Sequence, residues 1–490
     1  MVPADPGGGG LMRTDLLTEP VDGLTELLAV VDAFDRTLVN GLLRPQPAQA
    51  AALADLADAL AAGPLAAGVA GAAEKAATGA AGEEHLMLLA AARGALLGAA
   101  HDALAAVVTA ATGRTAGTHP AAAPAPAAPL NVLAAARSWL CDLARAGWQG
   151  IDHELVAGAA PVVSAMLPDP ALRRLAVLLD GFAAELAASC PGAALERVPV
   201  RRWADLWARA LLLTQPGALA EPPAVPVTGR LLPLGVDLQE HATAAQAQVH
   251  AVFEPADGGP SRLVRASVAV PKPDTVVGAG VWQLLRPQCA LLAAAGEGRA
   301  MELTGMALTA AGDLHWQDEL AVAGEPADPF ATARVALAAA HAAVTPPLER
   351  HPARLAEPVF LVGYAVRPED AVGPGAGADQ EVGMHPENGV RFELAGHQLF
   401  VDTDRIPAAG PLTPAAVAAS TACIGLLRWD AGRFVLQPLA VETTVKKKTV
   451  AVHAGGWAGG TADKLGVKAE KAATEAVAVL RERAGRLLRK

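Results

Sequence analysis

The chain has 490 residues, 52% hydrophobic and 18% charged, a composition that excludes a disordered or fibrous polymer and suits roughly three domains of ~100–200 residues each. Its net charge of −11 is unevenly spread: residues 1–222 sum to −8, 223–445 to −10 and 446–490 to +7, with seven of the nine lysines in the last piece. An acidic body of this kind is poorly suited to wrapping nucleic acid, whereas the basic end suits an acidic partner.

Residues 1–20 carry Pro and a Gly run without a basic start or an apolar stretch, so they read as a disordered start and not as a secretory signal. From 21 to 112 the pattern is helical: Leu24, Leu27, Leu28, Val31 and Phe34 recur at three- and four-residue steps, with breaks at Pro45/Pro47, at Gly63-Pro64 and across 68–82. The apolar stretch 86–112 is interrupted by Arg93, His101 and Asp102, which argues for a buried helix over a membrane span. Residues 113–129, rich in Pro, Gly and Ala, read as a linker, and 130–215 as a second helical domain.

A Pro-rich linker at 216–228 closes the helical half, and the periodicity then changes to two. Gln246, Gln248 and His250 face away from Ala247, Val249, Ala251 and Phe253, and Asp257-Gly258-Gly259 turns the chain into the alternating run 264–270. Three further hairpins are expected: 301–308 with 314–316, 390–394 with 398–401, and 426–429 with 433–436. Helices are expected near 281–295 and 330–344, which makes 229–460 an antiparallel α+β domain. Residues 461–490 form a basic amphipathic helix with Leu465, Ala469, Ala472, Ala476, Leu480 and Leu487 as its apolar stripe. The expected fold class is therefore α+β: an Ala-rich helical N-terminal half, an antiparallel strand-rich C-terminal half with interspersed helices, and a C-terminal amphipathic helix.

The four cysteines stand singly, without a C-x-x-C pair, as reduced and mostly buried thiols would in a cytoplasmic protein. No G-x-S-x-G elbow and no H-x-x-x-H pair occurs. Asp402 and Asp404 end an apolar strand with both carboxylates on one side, an arrangement that can hold a divalent metal and would serve a metal-dependent transferase or hydrolase. The pair resembles the D-x-D of metal-dependent glycosyltransferases and the first motif of haloacid-dehalogenase-type phosphatases, although Ile406 and Pro407 depart from the latter. Acidic residues at a strand end are also ordinary turn formers, and that is the favoured reading. The run Gly455-Gly456-Trp457-Ala458-Gly459-Gly460 lies between a strand and a helix, as a phosphate-cradling loop does. Thr461-Ala462-Asp463 follows it in place of Lys and a hydroxyl residue, so a flexible connector is favoured.

Candidate partner-binding residues fall in two groups. Arg201, Arg202, Trp203 and Trp207 place two indoles on one helix face beside guanidiniums, which suits an interface, but Leu206 and 211–213 extend the same apolar run, so a core role for the tryptophans is the favoured reading. In the tail, Lys446–Lys448 suit a guarded sheet edge, while Lys464, Lys468, Lys471, Arg481, Arg483, Arg486 and Arg489 either oppose the terminal helix dipole or dock an acidic partner, nucleic acid or an anionic surface.

The stretches 197–214 (RVPVRRWADLWARALLLT) and 229–253 (GRLLPLGVDLQEHATAAQAQVHAVF), about a tenth of the chain, resemble an uncharacterised family from high-GC bacteria. Its members accompany a MoxR-type AAA+ ATPase, a von Willebrand A-domain protein and a SWIM zinc-finger protein. No Walker motif, Asp-x-Ser-x-Ser or Cys-x-Cys is present in this chain, and no catalytic residue carries over. The resemblance implies an accessory subunit of a cytoplasmic ATPase-containing assembly. The expectation is accordingly a non-enzymatic interaction or scaffold protein, with no cofactor, no catalytic residue, other proteins as partners and nucleic acid reachable only through 446–490.

Overall fold

The computed structural model describes residues 12–117, 130–215, 217–220, 222–241, 243–286, 290–368, 390–445 and 447–487. The helical half runs through α1 (Thr14–Thr18), α2 (Leu24–Asn40), α3 (Pro47–Asp58), α4 (Ala66–Ala77), α5 (Glu83–Thr112), α6 (Leu130–Ala146), α7 (His153–Ala157), α8 (Ala159–Met166), α9 (Arg173–Ala188) and α10 (Val200–Leu213). Pro47 opens α3 at a position where its missing N–H costs nothing. Gly113, at φ 67°, ends α5 with its N–H donating to the Thr109 carbonyl.

The helices before and after 113–129 do not form two separate cores. Phe34, Leu53, Leu89, Leu140, Trp148, Phe182, Trp203, Trp207 and Leu211 belong to one buried cluster, which corrects the expected division at 113–129. Within this core, backbones meet closely where α2 and α6 end. Gly41 (φ 77°) ends α2 against Gly147 (φ 74°) at the end of α6, and a Cβ on Gly147 would lie 2.2 Å from the Gly41 nitrogen. Only two glycines permit this crossing, which the Leu42 N–H closes by donating to the Ala144 carbonyl.

The C-terminal half contains β1 (Ala224–Glu240), β2 (Ala244–Pro255), β3 (Arg262–Pro271), α11 (Ala279–Leu285), α12 (Ala290–Glu297), β4 (Arg299–Thr309), β5 (Asp313–His315), β6 (Ala321–Pro326), α13 (Pro329–Thr332), β7 (Glu357–Val362), β8 (Ala365–Pro368), β9 (Val390–Leu394), β10 (His397–Val401), α14 (Pro414–Ala418), β11 (Ser420–Asp430), β12 (Arg433–Val445), β13 (Lys448–His453) and α15 (Lys464–Leu487). All four expected hairpins are present in antiparallel register, including Ala247 opposite Val268 and Trp429 opposite Phe434. Strand β1 begins inside the stretch expected to be linker, and the helix expected at 281–295 is two helices. Of the stretch expected to be helical at 330–344, only α13 and the wide turn 333–337 that follows it are helical.

The first sheet closes on itself, because β1 pairs with both β2 and β4, and β5 bridges β3 to β4. Its interior residues Leu231, Val249, Phe253 and Met301 pack on Trp282, Leu285 and Leu291 of α11 and α12. The second sheet has the order β7-β11-β12-β10-β9-β8, with β13 added to β12. The sheets meet through Leu232, Leu234 and Val252 on one side and Ala422, Ile424 and Ala440 on the other. Gly235 allows this approach, since a Cβ there would sit 2.7 Å from Cβ of Leu439.

Helix α5 joins the two halves. It has 30 residues, a length of about 45 Å, and it is the one described helix long and apolar enough to cross a membrane. Its first half supplies Leu86, Leu89 and Leu96 to the helical core. Its second half supplies Leu104, Val108 and Ala111 to the core beneath the second sheet, with Leu361, Phe392, Leu427 and Leu436. The charges that interrupt its apolar pattern are all paired. Arg93 donates two hydrogen bonds to Asp35, at 2.6 and 2.9 Å, and contacts Asp205 at 2.6 Å, while Asp102 pairs with Arg350 and His101.

Removing one partner of a buried pair strands the other charge. Arg93→Ala should therefore lower the unfolding free energy by about 3–5 kcal/mol in urea titration, whereas the double variant Arg93→Met/Asp35→Leu should lose much less. Equal losses in the two variants would show that packing, not charge, carries the site.

Candidate functional site

The tryptophan face of α10 is core. Trp203 and Trp207 are buried, Trp207 donates its indole N–H to the Leu140 carbonyl at 2.9 Å, and Trp203 packs edge-on against Trp148. Of the neighbouring guanidiniums, Arg201 pairs with Asp32 of α2 and Arg202 with Glu185 of α9. This face staples α10 to its neighbours and presents no indole outward, as the core reading of the two tryptophans expects, while Arg201 and Arg202 lie exposed at its edge.

Asp402 and Asp404 do not converge on a shared site. Strand β10 ends at Val401, Asp402 accepts from Arg405 Nε at 2.8 Å, and Asp404 lies exposed on the turn that follows. Among the described residues no third carboxylate or histidine joins them, and no group of three or more metal-ligating side chains occurs.

The glycine run is a packing device. A Cβ on Gly455 would fall 2.5 Å from Val236, and one on Gly459 would fall 3.1 Å from the Ala293 backbone. The close turn seats Trp457 and Ala458 in the core of the first sheet. Its N–H groups turn inward: Gly456, Ala458 and Gly460 donate to the carbonyls of His453, Gly455 and Trp457. Carbonyls face outward instead, since Trp457 and Ala458 accept from Arg286, both at 3.2 Å. A loop that offers carbonyls to a guanidinium is not built to cradle a phosphate.

Arg286 also reaches α15, donating to Glu470 at 2.6 Å, while Gln283 donates to Thr474 and to the Glu470 carbonyl. The terminal helix packs on α11 and the core of the first sheet through Ala469 and Ala473, while Gly466 lies against Trp457 of the glycine run. A Cβ on Gly280 of α11 would sit 3.6 Å from Ala473, so small residues set the closeness of the two helices. This face is rotated by about a quarter turn from the expected stripe at ~100° per residue. Of that stripe, Ala469 is in contact, whereas Leu465 is 73% exposed and Ala472 and Ala476 are exposed. Lys464, Lys468 and Lys471 are exposed on the same side, and Arg483 is exposed further along. The side chains of Arg481 and Arg486, and Arg489 and Lys446 as a whole, lie outside the described residues.

A buried polar cluster missed in the sequence lies between the two sheets. Asp237 accepts from Gln437 at 2.7 Å, from Arg428 at 3.0 Å and from Gln239 at 3.0 Å, and Arg428 Nε donates to Gln437. His250 stands beside it, buried, with Nε2 lacking a partner. The alternation in β2 did place His250 opposite Val249, but its face is covered by the second sheet and not by water. Burial, reinforced by Arg265 and Arg428 against the pull of Asp237, lowers the imidazole pKa to about 3. Burial likewise pushes the Cys141 thiol up to about 12 and the Cys423 thiol upward, so these are unreactive thiols.

Comparison of the chain with protein-family models, with curated proteins and with solved structures gives no match.

His250 makes the fold sensitive to acid. With a folded-state pKa of about 3 against 6.5, the unfolded chain takes up a proton that the folded chain refuses. Its contribution to stability is full above 6.5 and falls as pH drops toward 3. The unfolding free energy from urea titration should decline between pH 6.5 and about 5, by up to about 1.4 kcal/mol per pH unit, and His250→Asn should flatten that decline.

Proposed function

We propose that this protein is a non-enzymatic interaction subunit whose terminal helix is the element offered to a partner. One observation carries the reading. Helix α15 is fixed to the body by its Ala469/Ala473 face and by Arg286, while Lys464, Lys468 and Lys471 stand exposed beside Leu465 and Val467. A basic rim around exposed aliphatic side chains suits an acidic, amphipathic protein surface, with charge setting the approach and the aliphatic groups the fit. A cytoplasmic assembly containing an AAA+ ATPase is the partner that the resemblance suggests.

Affinity purification of the tagged chain from its host, in parallel with the triple variant Lys464→Glu/Lys468→Glu/Lys471→Glu, tests the reading. The wild type should retain protein partners that survive nuclease treatment, and the triple variant should lose them while melting at the same temperature. Recovery of the same partners by both proteins would contradict it. A partner removed by nuclease, with binding that weakens steeply with salt, would replace it with nucleic-acid binding.

A further inference from the structure

Three arginines from separate segments converge on a single carboxylate at the edge of the helical half. Glu349 lies on the short turn Pro347–Glu349. Its Oε1 accepts from Arg174 of α9 and Arg209 of α10, each at 2.6 Å, and its Oε2 from Arg354 at 2.9 Å. Arg209 also donates to the Leu348 carbonyl. Among the described residues no other carboxylate is paired with these three guanidiniums, so two positive charges are left over locally in a chain whose net charge is −11.

The match between donors and acceptor is poor in two respects. Each guanidinium carries five N–H donors, roughly fifteen in all, whereas a carboxylate offers about four acceptor positions. Arg174 and Arg209 are crowded onto one oxygen. The excess is accessible, because Arg174 is 49% and Arg354 54% exposed while Glu349 is 24% exposed. Partial burial, together with the nearness of Arg209 and Arg174, pulls the Arg354 guanidinium below its usual range. The three guanidiniums in turn hold the Glu349 carboxyl below its usual range against the opposing effect of burial.

We infer that Arg174, Arg209 and Arg354 form a binding site for the phosphate group of a small phosphorylated molecule, with Glu349 as the internal anion that the ligand displaces. A phosphate has three terminal oxygens, one for each guanidinium, and its greater charge offsets the surplus that a carboxylate leaves. Displacement is local, since Glu349 sits on a three-residue turn and no other cation is paired with it among the described residues.

Equilibrium binding of inorganic phosphate and of pyrophosphate to the full chain, at constant ionic strength maintained with chloride, tests the site. The wild type should bind at least one of them, Arg174→Gln/Arg354→Gln should weaken that binding about tenfold or more, and Glu349→Gln should tighten it by removing the competitor. Thermal melts of each variant establish that it is folded, and Glu349→Gln should regain melting temperature with phosphate but not with chloride. No binding by the wild type, or binding that is unchanged in the arginine double variant, overturns the inference.

Discussion

Arg93 lies almost entirely out of water in the middle of the longest helix, and a guanidinium there is tolerable only because its donors are taken. Asp35 of α2 receives two of them and Asp205 of α10 a third. These two carboxylates outweigh the cost of burial and keep the guanidinium firmly charged. Asp205 passes the interaction on to His351 at 3.2 Å, in the segment that leads into the second sheet. One buried side chain therefore fixes the mutual register of α2, α5 and α10 and connects them to the strand-rich half. A displacement of any of these elements would strand a charge, so this seam specifies the arrangement more sharply than the alanine-rich packing around it can.

The rest of the architecture follows from where small residues let backbones come close. Paired glycines cross α2 with α6, Gly235 brings the two sheets together, and the glycine run places Trp457 beneath α12. An alanine-rich chain has few large side chains with which to fill gaps, and close approach is its alternative. The same logic produces the docked terminal helix: alanines and a glycine make the contact, which leaves the lysines and the larger aliphatic residues of α15 on the outside.

Much of the fold was legible in the sequence, because hydrophobic period reports which face of an element is covered. The hairpins at 247–268 and 426–436 and the helices from Leu24 onward follow directly from it. Period is silent about what covers a face. His250 lay on the side expected to meet water and instead meets the second sheet. The pairing of β1 with β4 that closes the first sheet, and the shared core across 113–129, depend on contacts distant in the chain that no local pattern records. Period is equally silent about the candidate residues. Trp203, Trp207 and Asp402 have the right chemistry for binding, but whether such groups are free is decided by partners such as Leu140, Trp148 and Arg405. The three arginines around Glu349 come from three separate segments and leave no motif at all.

Helix α15 is held along its first half by the body, which leaves its lysine face exposed. Amide hydrogen exchange along 464–487 in the isolated chain tests this most directly. Protection should be strong through Ala469, Ala473 and Val477, fall away toward the end of the helix, and drop throughout when Arg286→Ala removes the anchor to Glu470. Protection that is uniform along the helix and indifferent to Arg286 would contradict the account.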